Sequence, residues 1–209
     1  MCEFVGWCAL GTADWVGALG SILGGLGAAA AAWISVSIAR SVRRDEARRR
    51  KIEATSLLRL FTSEVGTLPM KLNRYADEIE IAKGWWGDLV RLSLTDPPPE
   101  LINALGRLAE ADLLPYATAS LSRLSVLDDV GHASISHDVS TIVGFVGDLA
   151  DAAKHAKLGV EDRSNELQES LPKLLNQLRY LRDLSTQLAN EIRGAAGLPE
   201  YDYARNFRS

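Results

Sequence analysis

Two carboxylates and an imidazole stand close together at Asp128, Asp129 and His132, with His137 and Asp138 just beyond. Asp129 and His132 have the i, i+3 spacing that puts a carboxylate and an imidazole on one helix face, as in the metal sites of helical bundles. Such sites need a matching pair on a second helix, and the nearest counterpart is Asp151 with His155, at i, i+4. Gly131 falls where the ligands need a rigid backbone, and Asp beside Gly more often ends one helix and caps the next. The cluster therefore reads as a polar turn, with no metal or other cofactor expected.

Other chemistry is sparse. The chain contains no P-loop, H-E-x-x-H, C-x-x-C or G-x-S-x-G pattern. Gly25-Leu26-Gly27-Ala28-Ala29-Ala30 matches the letters of a dinucleotide-binding turn, but no strand precedes the glycines, which that fold requires. Cys2 and Cys8 lie before the apolar stretch described next, on the far side from the rest of the chain, and are not expected to act as nucleophiles there. In an oxidising compartment they could bridge within the head or between copies, or stay unremarkable thiols. No catalytic residue is assigned, and the reading is non-enzymatic.

The elements around these residues say more than the residues do. The 209-residue chain carries 23 Lys and Arg against 27 Asp and Glu, and no basic residue precedes Arg40. Trp15 to Ile38 is 24 residues without charge or proline. As a helix it reaches about 36 Å, enough for a hydrocarbon layer of about 30 Å. Trp15 and Trp33 fall near its two ends, where an indole can bury its body and wet its N–H. Seven basic residues follow at once: Arg40, Arg43, Arg44, Arg48, Arg49, Arg50 and Lys51. A basic flank on one side marks that side as cytoplasmic, so the expectation is a single-pass inner-membrane protein with its N-terminus outside. A secretory signal has the opposite order, with the basic region first. A buried soluble helix fits poorly, because eleven of the 24 residues are Ala or Gly and fill little core volume.

Those small residues form two overlapping rows. Gly20, Gly24, Ala28 and Ala32 recur every four residues, whereas Gly17, Ser21, Gly24, Ala28, Ala31 and Ser35 follow a 3–4 rhythm. Small residues on one face let a second helix backbone approach closely, so self-association into a homo-oligomer is expected. The arginine collar is expected to meet anionic lipid headgroups, at about 1 kcal/mol per residue near the surface. Nucleic acid is not an expected partner, because no aromatic residue interleaves with the collar and the chain beyond it is net acidic.

Beyond the collar the pattern is helical throughout. Leu58, Phe61, Val65, Leu68, Leu72, Tyr75, Ile79 and Ala82 form a 3–4 seam, which Gly66 and Pro69 interrupt, so a kink is expected near Val65 to Leu68. Gly84-Trp85-Trp86-Gly87 is expected to break that helix, and Pro99 to begin the next. A further run is expected from Leu113 to about Val130, then a seam through Val139, Ile142, Val146, Leu149 and Ala153 that ends near Gly159. The last helix carries a seam from Leu167 to Ile192, with its start expected at Leu171 or Pro172. The fold class is all-α: one N-terminal transmembrane helix and a four- to five-helix cytoplasmic bundle with coiled-coil-like seams. The expected divisions are a head (1–14), span (15–39), basic connector (40–51), helical domain (52–197) and flexible tail (198–209). The layout suggests a membrane-anchored interaction or scaffold protein with a cytoplasmic protein partner. By analogy of architecture alone, small bacterial or phage-encoded effectors that perturb membranes share it.

Overall fold

In the computed structural model, residues 12–91, 96–161, 167–199 and 201 are described. Cys2, Cys8, the segment around Leu94, Tyr203 and Phe207 lie outside them. The chain is all-helical, with no strand among the described residues. Helix α1 is Thr12–Arg91, α2 Pro99–Glu110, α3 Pro115–Ala119, α4 Ser125–Asp129, α5 Ala133–Glu161 and α6 Leu167–Ala195, with a 3-10 turn at Leu121–Arg123. Contacts divide the chain into two units, 1–49 and 50–209, each described by itself.

The second unit holds a single core. The seam read from Leu58 to Ala82 is buried except at Tyr75, which is half-buried, with Phe61, Leu68, Leu72 and Ile79 fully so. It packs with Leu101, Leu105 and Leu108 of α2, Ile135, Val139, Ile142 and Leu149 of α5, and Leu174, Leu178, Leu188 and Ile192 of α6. The 3–4 spacing thus serves packing within one chain. Helix α5 is central, touching α2, α3, α4 and α6. Its buried positions continue through Ala156 to Val160, next to the expected end at Gly159.

Several boundaries differ from expectation, each for a physical reason. Gly84 to Gly87 does not break α1, which is helical to Arg91. A glycine costs a helix about 1 kcal/mol against alanine, and Trp86 offsets this by packing on the core while Trp85 stays exposed. Pro69 lies inside α1 and is buried, so its ring contributes to the core although it donates no bond to Val65. Pro172 lies inside α6, which begins at Leu167 rather than at Leu171 or Pro172. At α2 the expectation and the structure agree: Pro99 occupies the first turn, and the Leu101 amide donates to the Pro98 carbonyl at 3.0 Å.

The run expected from Leu113 to Val130 is three short pieces, α3, the 3-10 turn and α4. Pieces of three to five residues are too short to stabilise themselves, and the structure supplies outside support. Glu64, only 7% exposed on α1, aims its carboxylate at the start of α3. It accepts the amide of Tyr116 at 2.8 Å and that of Ala117 at 2.7 Å. These are orphan donors of a helix N-terminus, and Leu114 at the cap provides no side-chain acceptor. Arg123 donates to Glu53 (2.9 Å) and Arg50 to Asp129 (2.7 Å) from the same stretch. Both pairs are exposed, so Arg123→Ala is expected to lower stability by no more than about 1 kcal/mol in thermal unfolding.

Two glycines with positive φ close helices. Gly131 (φ 90°) follows α4; its amide donates to the Asp128 carbonyl and that of His132 to Leu127. Gly197 (φ 71°) repeats the arrangement after α6, with bonds to Gly194 and from Leu198 to Arg193. Both are paired 6→1 and 5→2 caps that need a left-handed residue. The tail's first residues return to α6: the Arg193 side chain donates to the Pro199 carbonyl at 2.8 Å, and its guanidinium lies 5.6 Å from the Tyr201 ring centre.

Candidate functional site

The polar cluster singled out by spacing does not assemble. Asp129 ends α4 and is held by Arg50, while the left-handed turn at Gly131 separates it from His132. Among the described residues, no group of three His, Cys, Asp or Glu is placed to hold a metal ion. Asp151 and His155 are both exposed on α5.

The first unit concentrates the unusual features. Among the described residues, one helix is long and apolar enough to cross a membrane, with an 18-residue window of mean hydropathy 1.8, none of it buried. From Leu19 to Arg49 every side chain is exposed. Leu23 and Leu26 are 67% and 63% exposed, and Trp33 is 71%. A buried core helix hides such residues; an unbroken apolar surface on this scale calls for a non-aqueous surrounding or a partner.

The segment has two faces. At about 100° per residue, Gly17, Ser21, Gly24, Ala28, Ala31 and Ser35 lie within about 40° of one direction, with Gly20 and Ala32 at the margins. Leu19, Ile22, Leu23, Leu26 and Trp33 lie within about 60° of the opposite direction, and Arg40, Arg44 and Arg48 continue that face. Cβ atoms built at Gly17, Gly20 and Gly24 meet nothing within 4 Å, so the small face is open in the single chain. The Ser21 hydroxyl donates to the Gly17 carbonyl at 2.9 Å and that of Ser35 to Ala31 at 2.8 Å. Both serines are satisfied within the helix and present little polarity outward.

The collar divides as well. Arg40, Arg43, Arg44, Arg48 and Arg49 are exposed in the first unit. Arg50 and Lys51 belong to the second, where Arg50 pairs with Asp129 and Lys51 is exposed. Trp33, Ser37, Arg40 and Arg44 line one shallow groove along the helix, an indole followed by two guanidiniums. Sequence reasoning found the small row and the collar; it missed the segregation of bulky from small residues, which the helical wheel already contains. No protein-family model, curated protein or solved structure matches the chain.

Proposed function

We propose that the chain is a single-pass inner-membrane protein, with its N-terminus outside and its helical bundle in the cytoplasm. It self-associates through its span and presents the bundle to a cytoplasmic protein, without catalysing a reaction. The observation that carries this reading is the fully exposed apolar stretch in the first unit, bounded by Trp33 and the arginines. Lipid accommodates the bulky face, anionic headgroups meet Arg40 and Arg44, and the small face is left for another helix. Alkaline-carbonate extraction combined with protease access to the bundle tests it. The chain should resist extraction, and protease should reach the bundle only from the cytoplasmic side. Release by carbonate, or cleavage from the outside, overturns the reading.

Gly24→Leu separates association from folding. A Cβ at Gly24 meets nothing within 4 Å and the position lies outside the unit that holds the core, so melting of the bundle should not change. Filling the small face should weaken self-association by roughly tenfold, measured by energy transfer between labelled copies in vesicles. Unchanged transfer removes the small face from the interface. A water-filled pore is less favoured, because Ser21 and Ser35 direct their hydroxyls to their own helix.

A further inference from the structure

A cleft of about 140 Å³ lies between α5 and α6 on the outside of the bundle. Phe145 and Asp148 line it from α5, and Gln177 and Tyr180 from α6, each pair three residues apart and so on one helix face. Leu149 and Leu181, both buried, form its floor. The Phe145 and Tyr180 rings meet edge to face, with centres 5.9 Å apart and planes at 86°. Rings at a right angle each turn a face toward the corner they enclose, and that face carries the negative part of the ring's charge. Both side chains are exposed, Tyr180 at 60%. Among the described residues Asp148 makes no ion pair, and neither the Gln177 amide nor the Tyr180 hydroxyl makes a hydrogen bond. Gly144, one turn before Asp148, has no side chain to cover the cleft, and a Cβ built there meets nothing within 4 Å.

We infer that this cleft receives an arginine side chain of the cytoplasmic protein that the bundle meets. The inference rests on the partner in the reading above and names the chemistry by which it is held. Two aromatic faces, a carboxylate and an apolar floor are complementary to a cation on a hydrocarbon stem. A guanidinium suits them better than an ammonium, because its plane stacks on a ring while its edge donates two bonds to one carboxylate. Asp148 accepts that pair, and the Gln177 carbonyl oxygen accepts a third donor. The stem lies along Leu149 and Leu181, out of water. No basic residue lines the cleft, so nothing there would hold the carboxylate of free arginine. An arginine within a protein chain has no such carboxylate, which identifies the occupant as a partner's side chain.

The full-length chain in micelles of neutral detergent, labelled with 3-fluorotyrosine, tests this through the fluorine resonance of Tyr180. That resonance is assigned by its loss in Tyr180→Phe. The capped peptide acetyl-Gly-Arg-Gly-amide should shift it saturably. Its citrulline counterpart, similar in shape but uncharged, should bind roughly tenfold more weakly, and its lysine counterpart also more weakly. Asp148→Asn should weaken the arginine peptide by roughly tenfold. Asp112→Asn removes an equal charge from an exposed position elsewhere on the bundle and should change binding by less than about twofold. No saturable shift, equal binding of citrulline or lysine, or equal losses from the two aspartates overturns the inference. Free arginine binding more tightly than the capped peptide assigns the cleft to a small molecule and overturns the protein partner. Protease access to the bundle in intact membranes reads its placement separately. An arginine-selective cleft on a bundle that faces outside keeps the cleft's chemistry and rejects the cytoplasmic reading. A cytoplasmic bundle without arginine selectivity keeps that reading and rejects the cleft.

Discussion

A chain shortened to residues 50–209 is expected to leave the membrane pellet completely and to melt as one cooperative helical unit. The basis is where the core begins and ends. Its buried apolar residues run from Ala54 to Ile192, all within the second unit, whereas the side chains from Leu19 to Arg49 are exposed. About 160 residues suffice for a self-sufficient core, since a domain near that size buries roughly 70% of its unfolded surface. Arg50 stays in the shortened chain, so its bond to Asp129 is kept. Centrifugation and far-ultraviolet dichroism on heating check the two halves of the claim. A pellet-bound fragment shows that the bundle itself holds the membrane; a gradual, non-cooperative melt shows that the core needs residues 1–49.

Replacing Glu64 with alanine is expected to lower stability by about 2–4 kcal/mol, the largest effect of any polar substitution in the bundle. Hydrogen bonds to a charged acceptor contribute about 1.5–3 kcal/mol each, and removal leaves two amides of α3 without their acceptor. Glu64→Gln keeps one carbonyl oxygen but points an amide N–H₂ at the second donor, so roughly half the loss is expected. Urea unfolding of the 50–209 chain measures both. Equal and small losses, below about 1 kcal/mol, would show that α3 is supported by apolar packing alone. Arg123→Ala, on the same stretch but exposed, is the internal reference for that comparison.

The legible part of the fold was the part governed by period. Buried positions on α1 beyond Leu58 and on α2, α5 and α6 could be read because one face of each helix repeats at three and four residues. The stretch from Leu113 to Val130 resisted reading because its support comes from elsewhere. Nothing near Tyr116 indicates that its amide is capped by a carboxylate 52 residues earlier. The tryptophan pair failed for the converse reason. Glycines at 84 and 87 are strong local signals for a break, and the packing of Trp86 on the core outweighs them. For the candidate site, the apolar stretch, the small rows and the collar were all visible. At His132 the glycine was the better guide than the spacing: Gly131 reads as a helix end, and it closes α4 there.

The Glu64 cap also orders events on the ribosome. Its donors at Tyr116 and Ala117 are translated after the helix that carries the acceptor, so the carboxylate is in place when α3 emerges. The three short pieces need not search for a partner made later. Another part of the α1 seam is different: Leu72 and Ile79 share their core with residues of α6 such as Leu178 and Leu188, translated about a hundred residues later. For that interval the growing chain carries an uncovered hydrophobic ridge, the kind of surface that chaperones shield.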